Sequence, residues 1–174
     1  VMTTLLEAGV DPNVRLKKTL WYTPYNRDLL GVNRAGATPF WRAAHALDID
    51  AMRLLLAHGA DPTMPTLKIP ERKRRGGDAD NTDYSGLPPV PMGGPAVYPI
   101  HAASGVGHGQ GFAGNSHRHV PDGWLPAVKF LVEELGADVD ARDYKGYNSV
   151  HHAAARGDNE LIQYLVSKGA DVTF

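Results

Sequence analysis

A short phrase returns four times along the chain: Gly9-Val10-Asp11, Gly59-Ala60-Asp61, Gly136-Ala137-Asp138 and Gly169-Ala170-Asp171. Each copy follows a leucine-rich stretch with helical spacing, such as Leu54-Leu55-Leu56 or Leu161-Ile162-Gln163-Tyr164-Leu165. A second phrase opens the units, at Thr38-Pro39-Phe40-Trp41, Tyr98-Pro99-Ile100-His101 and Asn148-Ser149-Val150-His151. Alanine pairs stand just behind it, at Ala43-Ala44, Ala102-Ala103 and Ala153-Ala154. The last two closing glycines are 33 residues apart. Two phrases that recur together mark a stacked array, in which no unit can bury its apolar flanks without a neighbour.

The residue types suit pairs of short helices. Thr38 and Asn148 can cap a helix start by accepting an otherwise orphaned N–H. Pro39 and Pro99 suit the first helical position, where a missing N–H costs nothing. The alanine pairs let two helices approach closely. In the second helices Met52, Leu55 and Leu56, and likewise Leu161, Leu165 and Val166, recur at helical spacing and are expected to face neighbouring units. The closing glycines suit a left-handed helix end.

These residues resemble ankyrin repeats. That family's pattern, Gly-x-Thr-Pro-Leu-His-x-Ala-Ala followed by a second helix ending Leu-Leu-x-x-Gly-Ala-Asp, is matched in register from residue 36 to 63 and from 146 to 173. A third unit, residues 98–140, matches at both ends, and residues 1–13 match a second helix with its exit. The resemblance covers roughly 60% of the chain. It implies an all-α solenoid of helix-turn-helix units with extended hairpin loops, or fingers. On this reading residues 1–174 form one domain: a partial unit 1–13, units 34–63, 96–140 and 144–174, and inserted fingers 14–33 and 64–95.

Register arithmetic locates the insertions. Opening residue to closing glycine spans 20 residues in two units (39 to 59, 149 to 169) but 37 in the middle one (99 to 136), which places about 17 extra residues around 105–123. The junctions before residues 38 and 98 exceed the 10-residue last junction by 17 and 27 residues. Of the 32 glycines and prolines, 20 lie between Pro62 and Gly123, where much of this irregular chain falls. Insertions of such length look more like bacterial ankyrin arrays than compact eukaryotic ones, and suggest a periplasmic or secreted setting.

Three departures from the pattern carry expectations. Trp41 replaces the usual histidine, so packing is expected to replace that residue's hydrogen bonding. Tyr98 cannot cap as threonine does. Pro126 falls early in a second helix, whose start is expected near Leu125. The chain begins with Val1 inside a helix, so it is expected to be a processed or partial product, with further units on the N-terminal side.

Composition narrows the chemistry. No cysteine is present, which excludes disulfides, Cys-ligated zinc, iron–sulfur clusters and thiol catalysis. A formal net charge of −1 lacks the basic balance of a general nucleic-acid binder. No run approaches the 18 apolar residues of a membrane-spanning helix.

Among eight histidines, His101 and His151 hold the family's structural position, and His58 sits in a polar last helical turn. His108, His117 and His119 cluster in the glycine-rich insertion 105–123 beside Asp122. They are the candidates for a metal site, and with it for the alternative reading as a metal- or cofactor-contacting accessory domain of a redox enzyme. Their spacing matches no local metal motif. No phosphate loop, dinucleotide fingerprint or nucleophile elbow is present. No catalytic residue and no cofactor is therefore expected.

Candidate partner contacts lie in the fingers. Trp21, Tyr22, Tyr25 and Arg27 are of the types enriched at interface hot spots. Arg72, Lys73, Arg74 and Arg75 form the one dense basic run, followed by Asp78, Asp80, Asp83 and Tyr84. The expected function is a non-enzymatic protein–protein interaction or scaffold module. It would bind another protein, within a larger assembly or alone, through the fingers and the concave face that the resemblance implies.

Overall fold

The computed structural model describes residues 1–17, 32, 34–70, 86–108 and 120–173. Seven α-helices are found among them. α1 spans Met2–Glu7, α2 Pro39–His45 and α3 Ile49–Ala57; α4 spans Pro99–Ala103 and α5 Trp124–Lys129. α6 covers Ser149–Arg156 and α7 Asn159–Ser167. No named strand occurs among the described residues, only one antiparallel bridge, Leu67 with Pro95. The architecture is an all-α stack of helix pairs.

The helix starts follow from their caps. Thr38 Oγ1 accepts the Trp41 N–H at 3.1 Å, and Asn148 Oδ1 accepts those of Val150 and His151. Asp48 and Asp158 begin the second helices, accepting the N–H groups of Ala51 and Leu161 at 2.9 and 3.0 Å. Tyr98 offers no such cap. Instead the Tyr98 N–H donates to His101 Nδ1 at 3.2 Å, so a side chain three residues on supplies the missing contact. Pro126 stands at the third position of α5, which starts at Trp124, one residue before the expected Leu125. The closing glycines Gly9, Gly59, Gly136 and Gly169 all have positive φ, between 68 and 93°.

Each pair turns back through a left-handed residue at the same register: Leu47 (φ 59°), Gly107 (78°) and Gly157 (77°). A leucine there costs about 1–2 kcal/mol of backbone strain. Leu47 is only 1% exposed, and burying such a side chain returns roughly 1.5–3 kcal/mol. In the middle unit His108 follows Gly107, where Asp48 and Asp158 cap their helices, and the chain departs into its insertion. It returns at Val120, whose N–H donates to Ala46 O at 2.9 Å.

α2 packs on α3 and α4, α4 on α5 and α6, and α5 and α6 on α7. Phe40, Leu47, Met52, Leu55, Val128, Leu131, Leu161 and Leu165 form the buried centre. Leu56 is half-buried, as its register implied. Val166 is a correction: it is 44% exposed, because the stripe toward neighbouring units narrows to Leu161 and Leu165 in this last pair.

α5 continues into a π-helical turn, Phe130–Glu134. Its cause is a count. Gly59 lies four positions after Leu55 and Gly169 four after Leu165, but Gly136 lies five after Leu131. The equivalent backbone bonds shift accordingly: Ala60 N–H to Leu55 O and Ala170 N–H to Leu165 O, but Ala137 N–H to Leu131 O. A widened turn absorbs the extra residue and keeps Leu131 buried.

Candidate partner-binding surface

The described parts of the fingers are joined arm to arm by backbone hydrogen bonds. Leu16 N–H donates to Ala37 O at 2.8 Å and Gly36 N–H to Leu16 O at 2.9 Å, closing the first stem. Leu67 N–H donates to Ala35 O at 2.8 Å, tying the second finger to the first. Thr66 and Lys68 pair with Val97 and with Gly93 and Gly94 inside the second finger. Tyr144 N–H then donates to Ala96 O at 2.9 Å, adding the third. Gly36 is required here. Its φ is +73°, and a Cβ would lie 2.5 Å from Leu67 Cγ.

A second apolar cluster lies beneath these stems, including Val32, Ala37, Trp41, Ala96, Val97 and Val106. Trp41 corrects the expectation from sequence. Its indole N–H donates to Val97 O at 2.9 Å, so the residue supplies a hydrogen bond as well as packing. The indole also stacks on His45, centroids 5.0 Å apart.

The next histidine position behaves comparably. His101 Nε2 lies 2.8 Å from Ala141 O, so this nitrogen carries the proton and Nδ1 is left to accept the Tyr98 N–H. Burial, and then the nearby His152, push its pKa down to about 4. His152 Nε2 contacts the buried Asp143 at 3.0 Å. Burial raises the Asp143 pKa, but the His152 contact and charge outweigh it and hold the group below its ordinary value. The network ties α6 to the third finger and is structural. At the end of α3, His58 Nδ1 faces Leu54 O at 2.9 Å and donates to that carbonyl.

Between the first two stems lies a cleft of about 500 Å3, whose lining includes Arg15, Lys17, Lys68, Ile69 and Met92. Arg15 Nη1 donates to Gly36 O at 2.8 Å and Pro65 O at 2.7 Å, so the guanidinium bridges the two stems. Lys68 Nζ donates to Val90 O at 2.7 Å. Among the described residues no carboxylate lines the cleft or pairs with these three cations. Asp61, held below its usual pKa chiefly by the Thr63 hydroxyl and N–H, feels Arg15 as a lesser pull. Ile69 and Met92 are 43% and 63% exposed.

The second helices carry charges of a different kind. Arg53 pairs with Glu134 at 2.6 Å and lies over the Phe130 ring. Glu133 accepts from Lys168 at 3.0 Å and from the Tyr164 hydroxyl at 3.1 Å. These contacts run from α3 through the π turn to α7, so that surface is largely satisfied within the chain.

Of the residues singled out from sequence, Trp21, Tyr22, Tyr25, Arg27, Arg72, Lys73, Arg74, Arg75, Tyr84, His117 and His119 lie outside the described residues. His108 is described. It is 4% exposed, its ring edge-on to Trp124 at 4.8 Å and tilted against His45 at 5.6 Å. Trp124 in turn carries the Arg156 guanidinium at 3.8 Å, and Arg156 pairs with Asp158. Among the described residues no three His, Cys, Asp or Glu side chains gather as a metal site. Arg15, Lys17 and Lys68 were missed from sequence: Arg15 and Lys17 fall in the short basic stretch Arg15-Leu16-Lys17-Lys18, about 50 residues before Lys68.

Two family models match the chain, described as ankyrin repeat over residues 35–67 and ankyrin repeats (many copies) over residues 116–166. Protein phosphatase 1 regulatory subunit 27 of Homo sapiens is 42% identical over 55 residues, 32% of this chain and 35% of that protein. Notch-regulated ankyrin repeat-containing protein A of Danio rerio is 38% identical over 52 residues, 30% of this chain and 46% of that protein. The chain thus spans less than half the length of these relatives. Both are eukaryotic, so the likeness to bacterial arrays rests on insertion length alone. The stacked helix pairs, their caps and glycine exits, and the matching models agree: the chain belongs to the ankyrin repeat family.

Proposed function

We propose that this chain is a non-enzymatic interaction module that binds another protein through its enlarged fingers and concave face. The supporting observation is an asymmetry. On the second helices Arg53 pairs with Glu134 and Glu133 with Lys168, whereas the finger stems form a hydrogen-bonded array that presents Arg15, Lys17 and Lys68 beside exposed Ile69 and Met92. Exposed apolar groups among charges that no described carboxylate pairs with are what a partner surface offers. On this reading Trp21, Tyr22, Tyr25, Arg27, Arg72, Lys73, Arg74, Arg75 and Tyr84 extend the contact along the fingers. The names of the relatives, a regulatory subunit and a Notch-regulated protein, fit a binding role.

Site-specific photo-crosslinking tests this. A crosslinking residue at Lys17 or Ile69 is expected to trap a protein partner in an extract of the native source. One at Glu160, exposed on α7, is expected to trap none. Trapping only from α7 would overturn the proposal.

A further inference from the structure

We infer that the cleft between the first two finger stems receives an extended protein segment bearing carboxylates beside an apolar side chain. The inference deepens the interaction reading above and rests on it. Three cations, Arg15, Lys17 and Lys68, line one cleft in a chain whose net charge is −1. That local excess favours an acidic partner and steers its approach.

The cations are held ready. Arg15 uses Nη1 for both carbonyls, which holds the guanidinium at the cleft wall, so a ligand meets it without the entropy of ordering a free side chain. Lys68 is held by Val90 O, and its ammonium lies 5.9 Å from the Tyr144 ring centre. Lys17 is exposed at the rim. Leu16, Leu67, Ile69 and Met92 supply apolar lining. The volume, about 500 Å3, accommodates a few side chains of a segment and not a folded domain. A nucleic acid fits less well, since a phosphate track calls for a longer row of cations and stacking aromatics, and among the described residues no aromatic lines this cleft.

The probe is a fluorescein-labelled peptide alternating Glu and Leu, with a Lys-and-Leu peptide of equal length as control, read by anisotropy. The acidic peptide is expected to bind with a Kd on the order of 10 µM at low salt and the basic one not to bind. K17E/K68E is expected to weaken binding by about tenfold or more, and K129E on α5 by less than about twofold. K17E alone, at an exposed side chain, guards against a folding artefact and is expected to weaken binding about threefold.

Equal binding of both peptides, no binding of the acidic one, or indifference to K17E/K68E would overturn the inference. So would equally tight capture of a single-stranded oligonucleotide, which would assign the cleft to polyanions at large. A tenfold affinity gain in D78N/D80N/D83N would assign it to the chain's own acids and also overturn it. In each of these cases a crosslink from Lys17 or Ile69 to a partner would leave the interaction reading standing, so the two fail separately.

Discussion

The Trp41 indole N–H reaches across 56 residues of sequence to the carbonyl of Val97, 2.9 Å away, and joins the second unit to the base of the next finger. Neither group is exposed to water: Trp41 is fully buried and Val97 is 3% exposed. Trp41→Phe removes one of two donors to that carbonyl, which keeps the Thr66 N–H, at about 0.5–1.5 kcal/mol, with a cavity penalty of about 1–3 kcal/mol. A loss of about 2–4 kcal/mol is expected, read as a lower urea midpoint at unchanged slope.

His101 sets a pH dependence of known sign. Its folded pKa lies near 4 against an ordinary 6.5, so between these values the unfolded chain binds a proton that the folded one refuses. Its contribution is complete above pH 6.5 and is lost as pH falls toward 4, by roughly 3 kcal/mol at most. The lowered pKa of Asp143 acts in the same direction. Urea titrations across this window, with NMR showing a His101 ring still neutral near pH 5.5, check it.

Two glycines separate backbone strain from collision. Gly36 and Gly169 both have positive φ, but a Cβ at Gly169 meets nothing within 4 Å, whereas at Gly36 it meets Leu67 at 2.5 Å. Gly169→Ala is expected to cost about 1 kcal/mol, the price of the left-handed backbone. Gly36→Ala adds the displacement of Leu67 and is expected to cost about 2–4 kcal/mol. Thermal melts of the two variants make the comparison.

The π turn is expected to disappear when its extra residue is removed. Deleting Glu134 restores the four-residue spacing from leucine to glycine and sacrifices only the exposed pair with Arg53. Surface pairs contribute about 0–1 kcal/mol, so stability should change by no more than about 1 kcal/mol. A crystal structure of the variant should show an unbroken α-helix through residue 133.

The repeat frame and the helix starts were legible because they depend on residues a few positions apart. Thr38, Asn148 and the closing glycines act within a single turn, and their roles can be read from the chain itself. The π turn was not read from the sequence, although Gly136 lies five positions after Leu131, because the helical pattern is too coarse to register one added residue. The exposed Val166 was misread because helical spacing marks a wide stripe, and which edge is covered depends on the neighbour.

By itself the sequence determined the ankyrin frame and the order of helices, since capping, glycine conformation and apolar period are local. Only the tertiary structure decided that Trp41 bonds to Val97, that Arg15 bridges Gly36 and Pro65, and that Lys68 joins Arg15 and Lys17 in one cleft. Those relations join residues up to 56 positions apart. They exist only once stacking fixes the distance between units, because hydrogen bonds and charge interactions depend on separation in space and not along the chain.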